Sequence, residues 1–388
     1  MITLKAKQRV VAKAIKKQKD SAGSHSPSIL ALANKFPKVK IKVDACFLSN
    51  PYASKLFFKF LQQDFKKQKK FQELIQYYPS QNAIIAQLVA KHLDISPQNI
   101  FLGNGAIEVI QAVIHNFVQR KMIVNIPTFS SYYEFAKDHI EIVYHQLEKQ
   151  DDFTLDIEKY LKLVRQEKPD TVVLINPNNP DGSYLKFTDI AYLIKQLKDV
   201  DNIIVDESFI HFAREKDGRI KSALKLVYEF DNLIVIKSMS KDFGIAGIRA
   251  GYGVMNAEKV NYLLKNGYLW NLSGLAEYFF RTYIQDDFQN MYEKVRVKYI
   301  DTTQTFIKKL SQVDGINVYP SQGNFVLVEL LDGSTAFNCF NKLLLKHGIY
   351  TRNCSDKIGL EGEFLRIASR TEKENKKVIK SMKDLFSA

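Results

Sequence analysis

Short, unbroken apolar runs dominate the pattern of the chain. Met122–Ile126, Thr171–Ile175 (TVVLI), Asn202–Asp206 (NIIVD) and Ile234–Ile236 have strand length and lack polar alternation. That is the pattern of strands covered on both faces in a parallel sheet. The runs before Asn176, Asp206 and Lys241 recur at spacings of 30 and 35 residues, with helical segments between them. This is the rhythm of βαβ units. Ile84–Leu93 and Ile107–Phe117 carry apolar residues at helical spacing, and Ile100–Gly105 reads as a strand running into a turn. Residues 3–19 predict a basic helix with Leu4, Val10, Val11, Ala14 and Ile15 on one side. A second helix is expected from near Ala53. Beyond about residue 270 the pattern changes: helices Leu275–Ile284 and Tyr292–Leu310 precede Asn324–Leu331, Thr335–His347 and Phe364–Ala368. The expected organisation is α/β. Residues 1–50 form an N-terminal arm and part of a small α+β domain, 51–270 a large domain with a mostly parallel sheet, and 271–388 the rest of the small domain.

Composition narrows the function classes. A chain of 388 residues exceeds one ordinary core, and 46% hydrophobic with 25% charged residues is ordinary for a globular protein. No stretch approaches the roughly 18 apolar residues of a membrane span. The basic start, MITLKAKQRVVAKAIKKQKD, lacks the apolar core of a secretory signal. Cys46, Cys339 and Cys354 are odd in number and far apart, which fits neither a disulfide framework nor a metal site, so a cytoplasmic protein without a metal is expected. The net charge of +14 is compatible with nucleic acid, an acidic membrane or anionic small molecules, and charge alone does not choose among them. The densest basic run, Phe65–Phe71 (FKKQKKF), reads as a solvated helix face, and no nucleic-acid motif accompanies it.

Chemistry collects where the apolar runs end. Val235–Gly253 (VIKSMSKDFGIAGIRAGYG) passes from a buried strand into closely spaced glycines, a mark of tight turning around something. Lys241, flanked by apolar residues, is partly desolvated, which favours its free amine as a nucleophile. Arg249 brings a fixed charge suited to phosphate. Asn176–Gly182 (NPNNPDG) can continue neither as strand nor as helix, so it shapes a loop at a strand's C-terminal edge, where open α/β sheets bind ligands. Asp206 closes an apolar strand and calls for a partner. Gly103, Gly105 and Ala106 open a helix whose first N–H groups form an anion site.

The string around Lys241 resembles the S-x-S-K-x-x-G-x-x-G-x-R-x-G signature of fold-type I pyridoxal-phosphate enzymes, the aspartate aminotransferase superfamily. The resemblance covers residues 45–375. It implies a seven-stranded, mostly parallel sheet in the large domain and pyridoxal 5'-phosphate as cofactor. Lys241 is then the catalytic lysine that carries the cofactor. Its phosphate falls to Ser238, Ser240, Arg249 and the turn Gly105, Ala106 and Ile107. Phe129, in P-T-F, stacks on the ring, Asn179 bonds the phenolic oxygen, and Asp206 pairs with the ring nitrogen. Leu74–Pro79 (LIQYYP) matches the family's Y-P segment, so Tyr78 reaches the cofactor of a neighbouring subunit in a homodimer with composite sites.

Within the superfamily the chain resembles the branch of histidinol-phosphate aminotransferases and threonine-phosphate decarboxylases. Asn50-Pro51-Tyr52 matches an N-P-Y of the former. DESFIHF and LRIASR resemble D-E-A-F-x-D-F and L-R-F-A-T-R of the latter. Phe209 stands where most aminotransferases of the branch have tyrosine. By this match Arg366 grips the substrate carboxylate, and His25, Arg352, Arg370 and Asn179 complete the substrate site. Three arginines exceed the need of one carboxylate, and a phosphate accounts for the surplus. The resemblance implies a decarboxylase of a small O-phosphorylated amino acid, phosphoserine (giving ethanolamine phosphate) or threonine phosphate. The alternative is an aminotransferase of a phosphorylated substrate using glutamate and 2-oxoglutarate.

Overall fold

The computed structural model describes residues 6–20, 26–66, 68–215 and 217–386. The strands among them are β1 (Val43–Ala45), β2 (Ile100–Asn104), β3 (Lys121–Ile126), β4 (Glu141–Gln146), β5 (Thr171–Ile175) and β6 (Asn202–Asp206). They continue with β7 (Leu233–Ser238), β8 (Ala250–Val254), β9 (Ile316–Val318), β10 (Phe325–Leu330), β11 (Ile349–Asn353) and β12 (Phe364–Ala368). The chain divides into two compact units: Ser49–Asn179 with Ser183–Lys298, and Met1–Leu48 with Pro180–Gly182 and Tyr299–Ala388.

The larger unit is built on a seven-stranded sheet of order β2-β8-β7-β6-β5-β3-β4. Strands β3 to β7 pair in parallel, and β8 runs antiparallel to both its neighbours. Alternate residues of the apolar runs face opposite ways, as strand geometry requires. Ile123, Val172, Leu174, Ile203, Val205, Leu233 and Val235 pack with helices Asn82–Leu93, Ile157–Glu167, Phe187–Gln196 and Gly274–Tyr283. Met122, Val124, Val173, Ile204, Ile234 and Ile236 pack on the other face with helices Ala106–Phe117 and Ala257–Lys265. Both faces are covered, which is why these runs show no polar alternation. Each fully buried aliphatic side chain contributes about 1.5–3 kcal/mol.

The parallel arrangement brings the C-terminal ends of β3, β5, β6 and β7 to one edge. Ile175 pairs with Asp206, and Asp206 with Ile236. The end of β2 and the start of β8 reach the same edge, with Asn104 opposite Ala250 and Ser238 opposite Gly251.

The smaller unit carries a five-stranded sheet of order β1-β11-β12-β10-β9, with β1 parallel to β11 and the other pairs antiparallel. Val326, Val328, Leu330, Leu365 and Ile367 cluster with Val378, Met382 and Leu385 of helix Glu372–Phe386 and with Ile15. Alternation turns Arg366, between Leu365 and Ile367, to the opposite face.

Several expected elements shift. Helix Pro51–Asp64 starts two residues before Ala53, because Asn50 caps it by accepting from the N–H groups of Tyr52 and Ala53 (3.0 and 3.2 Å), and Pro51 suits the first turn. The basic run Phe65–Phe71 spans the end of that helix and the start of helix Gln68–Gln76 instead of lying on one helix face. The break lets the Phe65 ring meet both Phe71 and Tyr278, at 5.6 and 4.8 Å. Helix Ala6–Asp20 turns Ala12 and Ile15 inward and leaves Val10 68% exposed, since two residues advance a helix by about 200°. Leu4 lies outside the described residues.

Candidate functional site

The ligand edge of the larger sheet gathers most of the expected cofactor residues. Lys241 sits in the short turn of helix Met239–Asp242 that follows β7, and is half-buried. The Asn50 N–H donates to its carbonyl oxygen at 3.0 Å. Ser238 caps that turn, its hydroxyl accepting from Ser240 N–H at 3.3 Å, and both serines are buried.

Gly105, with φ of +78°, caps helix Ala106–Phe117. A Cβ on Gly105 would come within 2.6 Å of the Arg249 guanidinium. A Cβ on Gly251 would come within 2.4 Å of the Ala106 nitrogen. Two glycines thus let the Arg249 side chain and strand β8 close onto the start of the helix. The first N–H groups of the helix, those of Ala106 and Ile107 included, have no acceptor within the helix. Together with the guanidinium they make a cradle for a dianion.

Asp206 ends β6 and is 3% exposed. Its two oxygens accept from Ser208 N–H and from the Tyr132 hydroxyl, both at 2.8 Å. Burial raises its pKa, and these hydrogen bonds pull the other way. Tyr132 is fully buried on the short helix Ser131–Glu134, just after Phe129. Phe129 itself is half-buried. The adjoining Pro127-Thr128 segment is locked to the loop after β5. Asn178 donates to Pro127 O at 2.9 Å and accepts from the Thr128 hydroxyl at 2.7 Å. Asn179, next in that loop, is buried. Tyr132 had no signal in the sequence pattern, since its partner lies 74 residues away. Asn178 lies in the Asn176–Gly182 loop, but its partners, about 50 residues away, leave its own role unmarked.

Tyr78 stands 87% exposed, its ring stacked on Trp270 at 5.9 Å. His25 lies outside the described residues. The three arginines belong to the smaller unit. Arg352 on β11 and Arg366 on β12 are cross-strand partners. Arg352 is buried and pairs with Asp356 at 2.6 Å, while Lys19 donates to the other oxygen of Asp356 and to Asn353 O, both at 3.2 Å. Arg366 donates to Cys46 O at 2.9 Å and lies over the Phe325 ring at 5.6 Å. Burial and the charge of Arg352 push the nearby Lys357 down to about 8. Arg370 follows β12, its N–H on Asn375 at 2.7 Å. Lys19, Asp356 and Lys357 were not anticipated. Among the described residues no cluster of metal-ligating side chains occurs.

One sheet edge thus carries a helix start lined by a guanidinium, a buried carboxylate and a half-buried lysine. Residues 49–382 fit the family of class I and II aminotransferases. The chain belongs to it. Within this family relationship, an L-serine phosphate decarboxylase of Campylobacter jejuni is 56% identical over 387 residues, covering 100% of this chain and 99% of that protein. A histidinol-phosphate aminotransferase of Caldanaerobacter subterraneus is 33% identical, covering 81% and 85%. The solved structure of a decarboxylase from Sulfurospirillum multivorans superposes with a TM-score of 0.93 at 43% identity, over 98% of this chain and 97% of that one.

The cofactor is pyridoxal 5'-phosphate, and the residues present fit it. The cradle that a Cβ on Gly105 would fill suits the phosphate, and Asp206 suits a protonated ring nitrogen. Half-buried Lys241 suits the aldehyde.

Proposed function

We propose that this protein removes the carboxyl group of O-phosphoserine as carbon dioxide and leaves ethanolamine phosphate. The full-length identity of 56% to an L-serine phosphate decarboxylase carries the reading. It is a pyridoxal-phosphate-dependent lyase acting on a small phosphorylated amino acid. When bound, the cofactor supplies a conjugated cation that takes up the electron pair left by the departing carbon dioxide.

The residues of the chain divide the remaining work. Ser238, Ser240, Arg249 and the N–H groups of the turn Gly105, Ala106 and Ile107 hold the cofactor phosphate. Asp206 keeps the ring nitrogen protonated, with Tyr132 and Ser208 fixing its orientation. Phe129 packs on the ring and Asn179 bonds its phenolic oxygen. Lys241 carries the cofactor and then delivers a proton to Cα, where the carboxylate has left. Arg366 binds the substrate carboxylate. Arg352 and Arg370, with His25, bind the phosphate. The work divides accordingly: the larger unit, which extends to Lys298, serves the cofactor, and the smaller unit supplies the substrate arginines.

The working form in this reading is a homodimer in which Tyr78 of the partner subunit reaches the cofactor phosphate. The large exposure of Tyr78 supports this. A cytoplasmic location is supported by three buried cysteines that form no disulfide.

The test is a product assay on cofactor-loaded protein with O-phosphoserine or O-phosphothreonine, with and without 2-oxoglutarate, followed by phosphorus NMR. An amine phosphate formed without any keto acid is the expected result. Turnover only with 2-oxoglutarate, with glutamate appearing, would make the protein an aminotransferase instead.

A further inference from the structure

Around Lys241 the larger unit buries charges that the proposed chemistry leaves unused. Lys237, on β7, is 2% exposed, and Asp242 is fully buried. Their side chains form a hydrogen-bonded ion pair. His211, in the turn after β6, places Nδ1 3.5 Å from Asp242 Oδ2 and 2.9 Å from the Tyr292 hydroxyl. Arg296, from the same helix as Tyr292, donates to His211 O at 3.0 Å and pairs with Glu293 at 2.7 Å. Phe243 stacks on Tyr292 with centroids 4.2 Å apart.

A buried lysine–aspartate pair is a poor source of stability, because desolvation offsets most of its attraction, and an apolar pair of similar volume would serve as well. Its place in the chain suggests another use. Lys237 and Asp242 bracket Lys241, which shares the single turn Met239–Asp242 with Asp242. Successive helical residues point about 100° apart, so anchoring Asp242 in the core sets the direction of Lys241. Burial pushes the Asp242 carboxyl up to about 6, and the neighbouring Lys237 side chain pulls against that rise.

We propose that Asp242 is a positioning residue for Lys241: its ion pair with Lys237 holds the Met239–Asp242 turn in the rotation that presents the Lys241 amine to the cofactor's aldehyde. The inference rests on Lys241 being the cofactor-carrying lysine. It predicts a defect concentrated in the bond between lysine and cofactor: the ring contacts and the phosphate contacts of Arg249 and of the turn Gly105, Ala106 and Ile107 lie outside the Met239–Asp242 turn, and only Ser240 shares it.

Two ligands separate these contributions. With pyridoxal 5'-phosphate, the Lys241 nitrogen adds to the aldehyde carbon, a C=N bond forms, and the aldehyde oxygen leaves as water. Pyridoxamine 5'-phosphate keeps the ring and phosphate but has no aldehyde to condense. Equilibrium binding of both would be measured on cofactor-free wild type and Asp242→Asn protein. The variant is expected to lose about ten- to a hundredfold in affinity for the aldehyde while binding the amine within about twofold of wild type. Equal losses for both ligands, or no loss for either, would overturn the proposal. Wild type that bound neither ligand would overturn the cofactor reading as well, so the two failures are distinct. Should Asp242→Asn not fold, as judged by circular dichroism, the double variant Lys237→Met, Asp242→Asn leaves no buried charge unpaired and carries the same expectation. A double variant with the wild-type ratio of affinities would refute it.

Discussion

Arg352 and Arg366 stand directly opposite each other across the antiparallel pair β11–β12. Like charges in that relation repel, and burial strengthens the effect. Asp356 pairs with Arg352 at 2.6 Å, and Lys19 brings a further cation to the same carboxylate. The excess of positive charge on this face favours an anionic occupant. A substrate bearing both a carboxylate and a phosphate supplies more than one negative charge, whereas a neutral zwitterion such as serine does not.

The first prediction concerns Arg366. Arg366→Ala removes a charge-assisted hydrogen-bond donor, a loss of about 1.5–3 kcal/mol of binding. KM for O-phosphoserine should rise at least about tenfold, with kcat changed less. Steady-state kinetics decide it, and unchanged constants would remove Arg366 from the substrate site.

Lys241→Ala tests the chemistry itself. Without an amine to carry the cofactor and to move the proton at Cα, turnover should fall by a thousandfold or more, on the order of the general acid–base contribution combined with loss of covalent attachment. Thermal unfolding of the cofactor-free protein should stay close to wild type, because the side chain is only half-buried. Retained activity would sink the central assignment.

Much of this was legible from sequence because the relevant signals are local. β5, β6 and β7 announce themselves as apolar runs since both faces of each strand are covered, and Asn179, Asp206 and Lys241 lie at or just beyond their C-terminal ends. Asp206 stood out because an acid closing an apolar strand needs a partner. Its protein partner, Tyr132, did not stand out, being 74 residues away in a segment without periodicity. The ion pair of Lys19 with Asp356 joins residues 337 apart, a distance over which no local pattern carries information. Val10 was misplaced for a different reason. A helix rich in small and basic residues offers more than one apolar stripe, and packing selected the one containing Ala12 and Ile15.

Tyr132→Phe isolates the support of Asp206. The ring still fills its buried site, and only the hydroxyl bonded to Asp206 Oδ2 is lost. The cofactor-free protein should lose about 1–2 kcal/mol in urea unfolding. Asp206 would lose one of the hydrogen bonds that oppose the upward push of burial, so its carboxyl becomes easier to protonate. Affinity for pyridoxal 5'-phosphate should therefore weaken at acidic pH first. Equal affinity for variant and wild type across the acid range would show that Ser208 alone suffices.

Glu207, next to Asp206, gives the fold a pH dependence of defined sign. Its carboxylate accepts from Ala223 N–H at 2.7 Å and from the Ser222 hydroxyl, yet burial dominates and pushes it up from 4.5 to about 7. As pH rises between these two values, the unfolded chain releases this proton while the folded chain retains it. Stability from this group is present in full below 4.5 and is lost as pH rises through about 7, a change on the order of 3 kcal/mol. Asp242, raised to about 6, acts in the same direction over a lower range. His211 acts oppositely: burial holds it well below 6.5, so the unfolded chain gains a proton first as pH falls. Glu207→Gln preserves the shape and one acceptor but removes this titration. Its unfolding free energy, relative to wild type, should therefore climb by up to about 1.4 kcal/mol per pH unit between about pH 5 and 7 and level off above. Urea unfolding at stepped pH measures the difference. Parallel curves would mean that Glu207 already ionises at its ordinary value in the folded chain, and that its two hydrogen bonds, not burial, govern it.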